Sequence, residues 1–287
     1  AIMEQERQNG RHLPGAGFPP SLRATGEIDA ALAGATAVLV AVPSVAFRSI
    51  LKEIAPRLGG GHYLVWATKG LELGSGRFMH EIVEELFDES IPHALISGPS
   101  FAAEVARGLP TAVTVAAREQ DHACTVAEWL HHGALRAYTS EDVVGVEVGG
   151  ALKNVLAIAA GISDGLGFGA NARAALVTRG LAEMIRLGEA LGAQRVTLMG
   201  LSGLGDLVLT CTDDQSRNRR FGLALARGLS VAEAVREVAS TVEGMETAGV
   251  VVPKATAVGV EMPICREVWR VLYEGCRPHE AVAALLA

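Results

Sequence analysis

The sequence lacks the cysteine spacing and the basic excess that mark several classes of protein. Its four cysteines are dispersed without a C-x-x-C pair, in a chain too long to need disulfide staples. Free thiols in a reducing cytoplasm are the simplest interpretation. Asp and Glu number 32 against 25 Lys and Arg, so the net charge of -7 repels nucleic acid and anionic membranes. An anionic ligand must therefore be bound by a local basic cluster.

Membrane-spanning and exported classes are not indicated either. The longest uncharged run, residues 30–47, is interrupted by Pro43 and Ser44, which predicts a helix end, a buried strand and a turn. No basic stretch followed by an apolar one opens the chain, so no signal peptide is predicted. Internal repeats and low-complexity segments are also missing. With 287 residues and 49% hydrophobic content, two globular domains are expected.

The first half of the chain alternates short apolar runs with amphipathic ones. Apolar strands that alternate with helices predict a mainly parallel sheet covered on both faces, so residues 1–142 read as an incomplete dinucleotide-binding Rossmann-like domain. The predicted strands lie in residues 37–44, 62–70, 93–101 and 111–117, and the predicted helices in residues 45–58 and 76–87.

The second half shows no strand pattern, which predicts an all-helical substrate-binding and catalytic domain over residues 143–287. Asn171 precedes one long helix, and the residues from Ser230 to Glu233 have the form of a capping box. Pro263 and Pro278 each stand where a helix is predicted to begin.

Three predicted strands end in small or polar loops, namely Pro43-Ser44, Thr68-Lys69-Gly70 and Gly98-Pro99-Ser100. In an open α/β sheet, ligands bind beyond the carboxyl ends of the strands, so these loops are candidate binding loops. Taken singly, each could equally be an ordinary connection between a strand and a helix.

Lys153 is a charged residue in the apolar stretch "EVGGALKNVLAIAAGISDG", residues 147–165. Such a lysine must either extend to water or be paired. Gly149 and Gly150 lie one helical turn away, and two glycines in a helix indicate that backbone or ligand comes close. A partly desolvated lysine has a lowered pKa, which suits proton transfer at a carbonyl or an alcohol. A lysine at the edge of the core that reaches solvent remains the alternative.

The stretch "GLSGLGDLVLTCTDDQSRNRRFG", residues 200–222, presents Asp206 in a glycine-rich turn and then a basic cluster. Ser216 is a predicted N-cap, and the arginines behind it oppose the helix dipole. They suit a bound phosphate, because helix N-termini and Arg side chains both hold anions. A solvated basic face that pairs with Asp213 and Asp214 is the other interpretation.

Two further patterns indicate little. "DGLGFG", residues 164–169, looks like a phosphate loop but follows a helix instead of a strand, so it is interpreted as a helix end and turn. His131 and His132 are adjacent and lack the spacing of a metal site, so they are expected on the surface and no metal is predicted.

Taken together, these motifs resemble the bacterial type of NAD(P)-dependent glycerol-3-phosphate dehydrogenase, within the 6-phosphogluconate dehydrogenase-like group. The resemblance runs from about residue 8 to the C-terminus and rests on "VPSVAF", "WATKGLE", "ISGPSFAAEVARGLPTA", "GVEVGGALKNVLAIAAGISDGLGFGANARAALVTRGLAEM", "GLGDLVLTCT", "QSRNRRFG" and "VEG". It implies an oxidoreductase of phospholipid biosynthesis that interconverts dihydroxyacetone phosphate and sn-glycerol 3-phosphate with NADH or NADPH.

The resemblance also assigns residue roles. Lys153 matches the catalytic lysine that gives or takes the proton at the C2 oxygen. Because Asn154 is adjacent to it in the chain, Asn154 is expected to orient Lys153 or its partner. Like-charge repulsion should make Lys153 and Lys69 lower each other's pKa. The implied substrate-binding residues are Lys69, Gly98, Ser100, Lys153, Asp206, Ser216, Arg217 and Asn218, and the implied cofactor-binding residues are Lys69, Ala102, Arg217, Thr241 and Glu243.

The sequence departs from this family at its beginning. A dinucleotide-binding domain should open with a strand and G-x-G-x-x-G, and neither is present, so roughly 40 residues of the pattern are missing. We therefore expect this chain as given to bind NAD(P)H weakly or not at all, which would limit its activity.

Two other functions are alternatives to this one. One is another NAD(P)-dependent reductase of the wider group, although a phosphate-binding arginine cluster has no use on an unphosphorylated substrate. The other is a non-catalytic binding protein, which has no chemical need for Lys69, Lys153, Asp206 and Arg217 together. A cytoplasmic homodimer without nucleic acid partners completes the expectation.

Overall fold

The structure, a computed structural model, describes residues 2–286 of the chain. Its N-terminal part alternates helices and strands. In chain order these are α1 Ile2–Glu6, α2 Ile28–Leu32, β1 Ala37–Val40, α3 Ser44–Ile54, β2 Tyr63–Trp66, α4 Met79–Leu86, β3 His93–Ser97, α5 Ala102–Ala106, β4 Thr111–Ala116, α6 Gln120–Leu130 and β5 Leu135–Ser140.

The five strands form one sheet whose order follows the chain, from β1 to β5. Three of the four strand pairs are parallel, and β3 and β4 are antiparallel, with Ile96 opposite Val115. The predicted mainly parallel sheet is confirmed. The pattern did not predict β5, because its side chains are mostly half-buried or exposed and show no continuous apolar run.

Apolar clusters cover both faces of this sheet, as predicted. Phe47 of α3 and Met79 of α4 pack on one face, and Ala123 and Val126 of α6 pack on the other. The expectation of a fully buried first strand is wrong, since Leu39 is 55% exposed. The reason is that β1 is the edge strand of the described sheet and pairs with β2 alone.

The C-terminal part of the described chain is helical, and no strand follows Ser140 there, which confirms the α/β plus all-α fold class. The helices are α7 Val143–Gly165, α8 Gly169–Ala190, α9 Arg195–Leu198, α10 Asp206–Thr212, α11 Arg217–Ala226, α12 Val231–Val238, α13 Glu243–Ala257, α14 Pro263–Tyr273 and α15 Pro278–Leu286, with a π-helical turn at Leu201–Gly205 before α10. Where one domain ends and the next begins remains a prediction.

Helix α7 is the axis of this part. It is long and apolar enough to cross a membrane, but 94% of its most apolar window is buried inside the protein. Burial of this kind is typical of the core helix of a soluble protein. Helices α8, α10, α11, α13 and α14 all pack against α7, so its side chains reach several neighbours at once.

The predicted helix boundaries mostly hold. Ser230 and Glu233 form the capping box of α12, and α14 and α15 begin at Pro263 and Pro278. Residues 164–169 contain the end of α7 and a turn, as interpreted. The expectation for Asn171 is wrong, because α8 already begins at Gly169 and Asn171 lies inside it.

Candidate active site

Asp206 is the centre of the polar cluster between the sheet and the helices. Its carboxylate is 1% exposed and is shared by two lysines. Lys153 Nζ lies 2.5 Å from Oδ1, and Lys69 Nζ lies 2.8 Å from Oδ2. The hydroxyl of Thr210 donates to the Asp206 carbonyl oxygen at 2.6 Å. The structure therefore brings together three predicted residues that are far apart in the chain.

Lys153 reaches Asp206 because α7 has no side chain at two neighbouring positions. A Cβ on Gly149 would lie 2.3 Å from the Ser202 carbonyl oxygen, and one on Gly150 would lie 2.9 Å from Ser97 Oγ. The glycines thus admit the π-helical turn that precedes Asp206 and the end of β3. Lys153 is 8% exposed and paired, so the alternative of a solvent-reaching lysine is wrong.

Lys69 comes from the loop after β2, one of the three predicted binding loops. Its ammonium also donates to the Gly98 carbonyl oxygen at 3.2 Å, which joins the loops after β2 and β3. The Ser100 hydroxyl donates to the same carbonyl at 3.1 Å. Thr68 donates to the Val42 carbonyl at 2.8 Å and so connects the loop after β1.

The two lysines differ in their proton affinity. Burial and the nearby Lys69 ammonium lower the pKa of Lys153 to about 8. Burial also acts to lower the pKa of Lys69, but the Asp206 carboxylate outweighs it and that pKa is raised. Burial acts to raise the pKa of Asp206, yet the two ammonium groups hold it below its ordinary value. The expected lowering is confirmed for Lys153 and wrong for Lys69.

The Asn154 side chain forms hydrogen bonds with Glu243 and Asn218 and not with Lys153 or Asp206, so the expectation that it orients Lys153 or its partner directly is not met. Its Nδ2 donates to Glu243 at 3.3 Å, and its Oδ1 accepts from Asn218 Nδ2 at 2.9 Å. Asn218 Oδ1 in turn accepts from the Gly244 amide at 2.9 Å. This closed ring of hydrogen bonds joins α7, α11 and the N-terminus of α13.

The basic cluster at the start of α11 divides into separate roles. Ser216 caps the helix, as predicted, and accepts from the Arg219 amide at 3.2 Å. Arg219 is buried and pairs with Asp164 and Asp214, so for this arginine the ion-pair interpretation holds. Arg217 is exposed and donates to Ser240 Oγ at 2.9 Å. Of these two arginines, only Arg217 is free to bind a ligand.

The remaining predicted residues lie on the surface around this cluster. Ala102 is exposed at the start of α5, and Thr241 is exposed in the turn between α12 and α13. The Arg217 guanidinium and the Thr241 hydroxyl can donate hydrogen bonds, and the Glu243 carboxylate can accept them. Residues of these types fit the phosphate, hydroxyl and amide groups of a nicotinamide nucleotide.

The predictions for the two adjacent histidines and for the four cysteines are confirmed. His131 and His132 are exposed, and all four cysteines are free thiols. Between residues 2 and 286 no group of His, Cys, Asp and Glu is arranged to hold a metal ion.

Besides Asp206 on α10, the site contains a buried carboxylate on α7 that sequence reasoning missed. Glu147 is 6% exposed and accepts from the Trp66 indole at 3.2 Å and from the His80 ring at 2.5 Å. The available signal was the same one that pointed to Lys153, a charged residue in an apolar helix. Thr210 gave no signal of its own, because its contact with Asp206 depends on the helical turn of α10.

A parallel-sheet domain joined to a helical part, with a lysine pair at the strand ends, is the arrangement of a two-domain dehydrogenase. Comparisons with known proteins are consistent with this class. The sequence model described as "NAD-dependent glycerol-3-phosphate dehydrogenase N-terminus" matches residues 1–123, and the corresponding C-terminus model matches residues 142–283. The chain belongs to the NAD-dependent glycerol-3-phosphate dehydrogenase family.

Individual relatives agree with this assignment. Glycerol-3-phosphate dehydrogenase (NAD(P)+) of Thioalkalivibrio sulfidiphilus is 60% identical, over 100% of this chain and 86% of that protein. The enzyme of the same name from Nitrosococcus oceani is 58% identical, over 97% of this chain and 81% of that protein. The crystal structure of glycerol-3-phosphate dehydrogenase from Coxiella burnetii superposes with a TM-score of 0.96 at 46% identity and covers 99% of this chain and 87% of that one.

Proposed function

We propose that this chain interconverts dihydroxyacetone phosphate and sn-glycerol 3-phosphate, with Lys153 as the residue that gives or takes the proton at the C2 oxygen. The observation that carries this proposal is the sharing of the Asp206 carboxylate by Lys153 and Lys69. When bound, NAD(P)H supplies the hydride that reduces C2, and NAD(P)+ accepts it in the reverse direction.

Lys153 suits proton transfer because its pKa of about 8 lies near the working pH. Below that value it holds the proton that an alkoxide at C2 requires. Above it, the neutral amine can accept the proton of the alcohol. Its burial also strengthens the interaction of the ammonium with charge that develops on the oxygen, since little water competes for it.

Lys69 is assigned an electrostatic role. Its raised pKa keeps it charged wherever Lys153 titrates, so it can polarise the carbonyl but is a poor proton donor. Asp206 then holds both ammonium groups in place and balances one of their two charges. The cluster has a net charge of about +1 when both lysines are protonated, which favours an anionic substrate and a developing alkoxide.

The substrate phosphate is proposed to bind at the start of α11. Arg217 is exposed there, and the free backbone N–H groups of a helix N-terminus favour an anion. Ser216 and Asn218 flank Arg217 on the same turn, and the hydrogen bonds from Asn218 to Asn154 and Gly244 hold this turn against α7 and α13. Gly98 and Ser100 would line the opposite side, next to Lys69.

The cofactor is proposed to contact Lys69, Ala102, Arg217, Thr241 and Glu243. Asn154 holds Glu243 through its amide, which fixes this carboxylate at the start of α13. Cytoplasmic location and a homodimer remain predictions. Static light scattering would test the last, because a dimer has about twice the 29.9 kDa mass of the chain.

The experiment follows NADH and NADPH oxidation in the presence of dihydroxyacetone phosphate. One arm uses this chain, and the other uses a version extended with the glycine-rich strand-turn-helix segment that the family resemblance predicts. Activity in the extended version, lost on Lys153→Met, is the expected result. No turnover in either arm would contradict the enzymatic proposal, and turnover that survives Lys153→Met would contradict the role of Lys153.

A further inference from the structure

The buried carboxylate of Glu147 lies on α7, six residues before Lys153. Glu147 Oε1 accepts from Trp66 Nε1 at 3.2 Å and from the His80 amide at 3.0 Å, and Oε2 contacts His80 Nδ1 at 2.5 Å. None of these donors belongs to α7. The carboxylate therefore connects α7 to two segments of the N-terminal part.

Those two segments, β2 and α4, stand on either side of the loop that carries Lys69. Trp66 is the last residue of β2, three residues before Lys69, and His80 lies in the first turn of α4. Glu147 and Lys153 share one helix, so their relative position is set by the geometry of α7. A single carboxylate thus joins the strand that leads to one lysine with the helix that carries the other.

The space between these elements leaves little freedom. Thr68, Lys69, Ser97, Glu147 and Gly150 line a cavity of only about 10 Å³. A Cβ on Gly150 would lie 3.5 Å from Lys69 Cγ, so the stem of Lys69 passes directly over α7. A shift of β2 relative to α7 would therefore move Lys69 relative to Lys153.

We infer that Glu147 is a positioning residue for the lysine pair, because its bonds to Trp66 and His80 set the separation of Lys69 and Lys153. A buried ion pair adds little net stability compared with apolar packing, so its contribution here is geometric. The catalytic consequence of this inference rests on the proposed function, whereas the geometry does not.

Titration of the lysine side chains can be measured without turnover. The chain has only four lysines, Lys52, Lys69, Lys153 and Lys254, so ¹⁵N-lysine NMR resolves each Nζ group, with Lys153→Met and Lys69→Met to assign the signals. The charged and titratable groups that face Lys153 are Asp206 and the Cys211 thiol, both on α10, and Lys69 in the loop after β2. Glu243 at the start of α13 acts on Lys69. The charged groups near His80 are Glu147, Glu81 and Glu84.

Glu147→Gln keeps an amide oxygen for Trp66 but removes the ion pair with His80. We expect the titration midpoint of Lys153 to rise by about one pH unit, because Lys69 moves away and its repulsion weakens. The direction of this shift distinguishes a movement of Lys69 from the simple loss of a charge. Loss of a nearby negative charge without any movement would instead lower the midpoint.

The matched control is Glu183→Gln. Glu183 on α8 is 1% exposed. Its carboxylate accepts from the amides of Ile264 and Cys265 on α14, at 2.6 and 3.2 Å, and contacts neither lysine of the pair. This change should lower Tm and leave the Lys153 midpoint where it is. If Glu147→Gln does not fold, His80→Gln should give a smaller rise in the same direction.

An unchanged or lowered Lys153 midpoint in Glu147→Gln would overturn the inference, as would an equal rise in Glu183→Gln. Neither result would bear on whether Lys153 transfers the proton, since the NMR titration involves no reaction. Kinetics of Lys153→Met test that role separately.

Discussion

Helix α7 takes part in two clusters in which one aspartate is shared by two cations. The Asp206 cluster is buried, whereas the Asp164 cluster is partly buried, since the Arg173 side chain is 29% exposed. Near the middle of α7, Asp206 holds Lys153 and Lys69. Near its end, Asp164 accepts from Arg219 at 2.6 Å and from Arg173 at 2.9 Å. Lys153 and Asp164 are 11 residues apart in the sequence, or about 16 Å along the helix axis.

The difference between the clusters is the ability to release a proton. A guanidinium stays charged at any pH that a protein tolerates, whereas a buried ammonium can lose its proton near neutrality. The Asp164 cluster therefore holds α7, α8 and α11 together and has no acid or base to offer. Burial and repulsion lower the pKa of Lys153 to about 8, and this makes the Asp206 cluster chemically useful.

The largest expected effect is on kcat, and it should differ between a lysine of the Asp206 cluster and an arginine of the Asp164 cluster. Lys153→Met should reduce kcat by about 10²- to 10⁴-fold, the usual contribution of a general acid or base. Arg173→Met removes a cation from the other cluster and should leave kcat within about twofold, with a lower Tm. Steady-state kinetics of both variants would test this difference, measured in whichever version of the protein, original or extended, shows turnover. Comparable losses of kcat would erase the distinction drawn between the clusters.

Replacing each of the two aspartates by asparagine should affect activity in one cluster and stability in the other. Asp206→Asn should lower kcat by about 10²-fold, because both lysines lose their fixed position. Its effect on stability should be small, since Lys153 can shed its proton when unpaired. Asp164→Asn leaves the buried Arg219 with only the exposed Asp214 as an ionic partner and should cost about 2 kcal/mol of unfolding free energy with kcat retained. Denaturant titration and steady-state kinetics of both variants would measure the two effects. Loss of kcat in Asp164→Asn with loss of stability in Asp206→Asn would contradict the comparison.

Arg217→Ala should raise KM for dihydroxyacetone phosphate by roughly 10- to 100-fold, as for the loss of a charged hydrogen bond. The effect on kcat should be smaller, because the proposed role of Arg217 is to bind the phosphate and not to transfer the proton. Arg220→Ala is the control, since it is exposed on the same helix. A rise in KM shared by both variants would indicate a general electrostatic effect instead of a phosphate site.

The smallest effect is on pH dependence. Ketone reduction needs protonated Lys153, so its kcat/KM should be about halved near pH 8 and fall further above it. Oxidation of the alcohol needs the neutral amine and should rise through the same range. Because this pKa is lowered on folding, the free energy of unfolding should also increase between pH 8 and the ordinary lysine value. Identical profiles in both directions would contradict the assignment of Lys153.

Much of the fold could be predicted from local pattern. Apolar runs and turn residues indicated four of the five strands, and Ser230, Pro263 and Pro278 marked helix starts, because caps and proline act over a few residues. β5 and the exposed edge at Leu39 could not be predicted, since each depends on which strands are neighbours. Lys69, Lys153 and Asp206 were each predicted, but their arrangement was not.

By itself, the sequence determined the presence of a sheet followed by helices, the charged residues in apolar surroundings and the family. Only the tertiary structure decided that Asp206 pairs with both lysines, that Arg219 is committed to Asp164, and that Asn154 turns to Asn218 and Glu243 instead of Lys153. The physical reason is that periodicity reports which side of an element is apolar. The pKa of a buried lysine depends instead on charges a few ångströms away that come from distant parts of the chain.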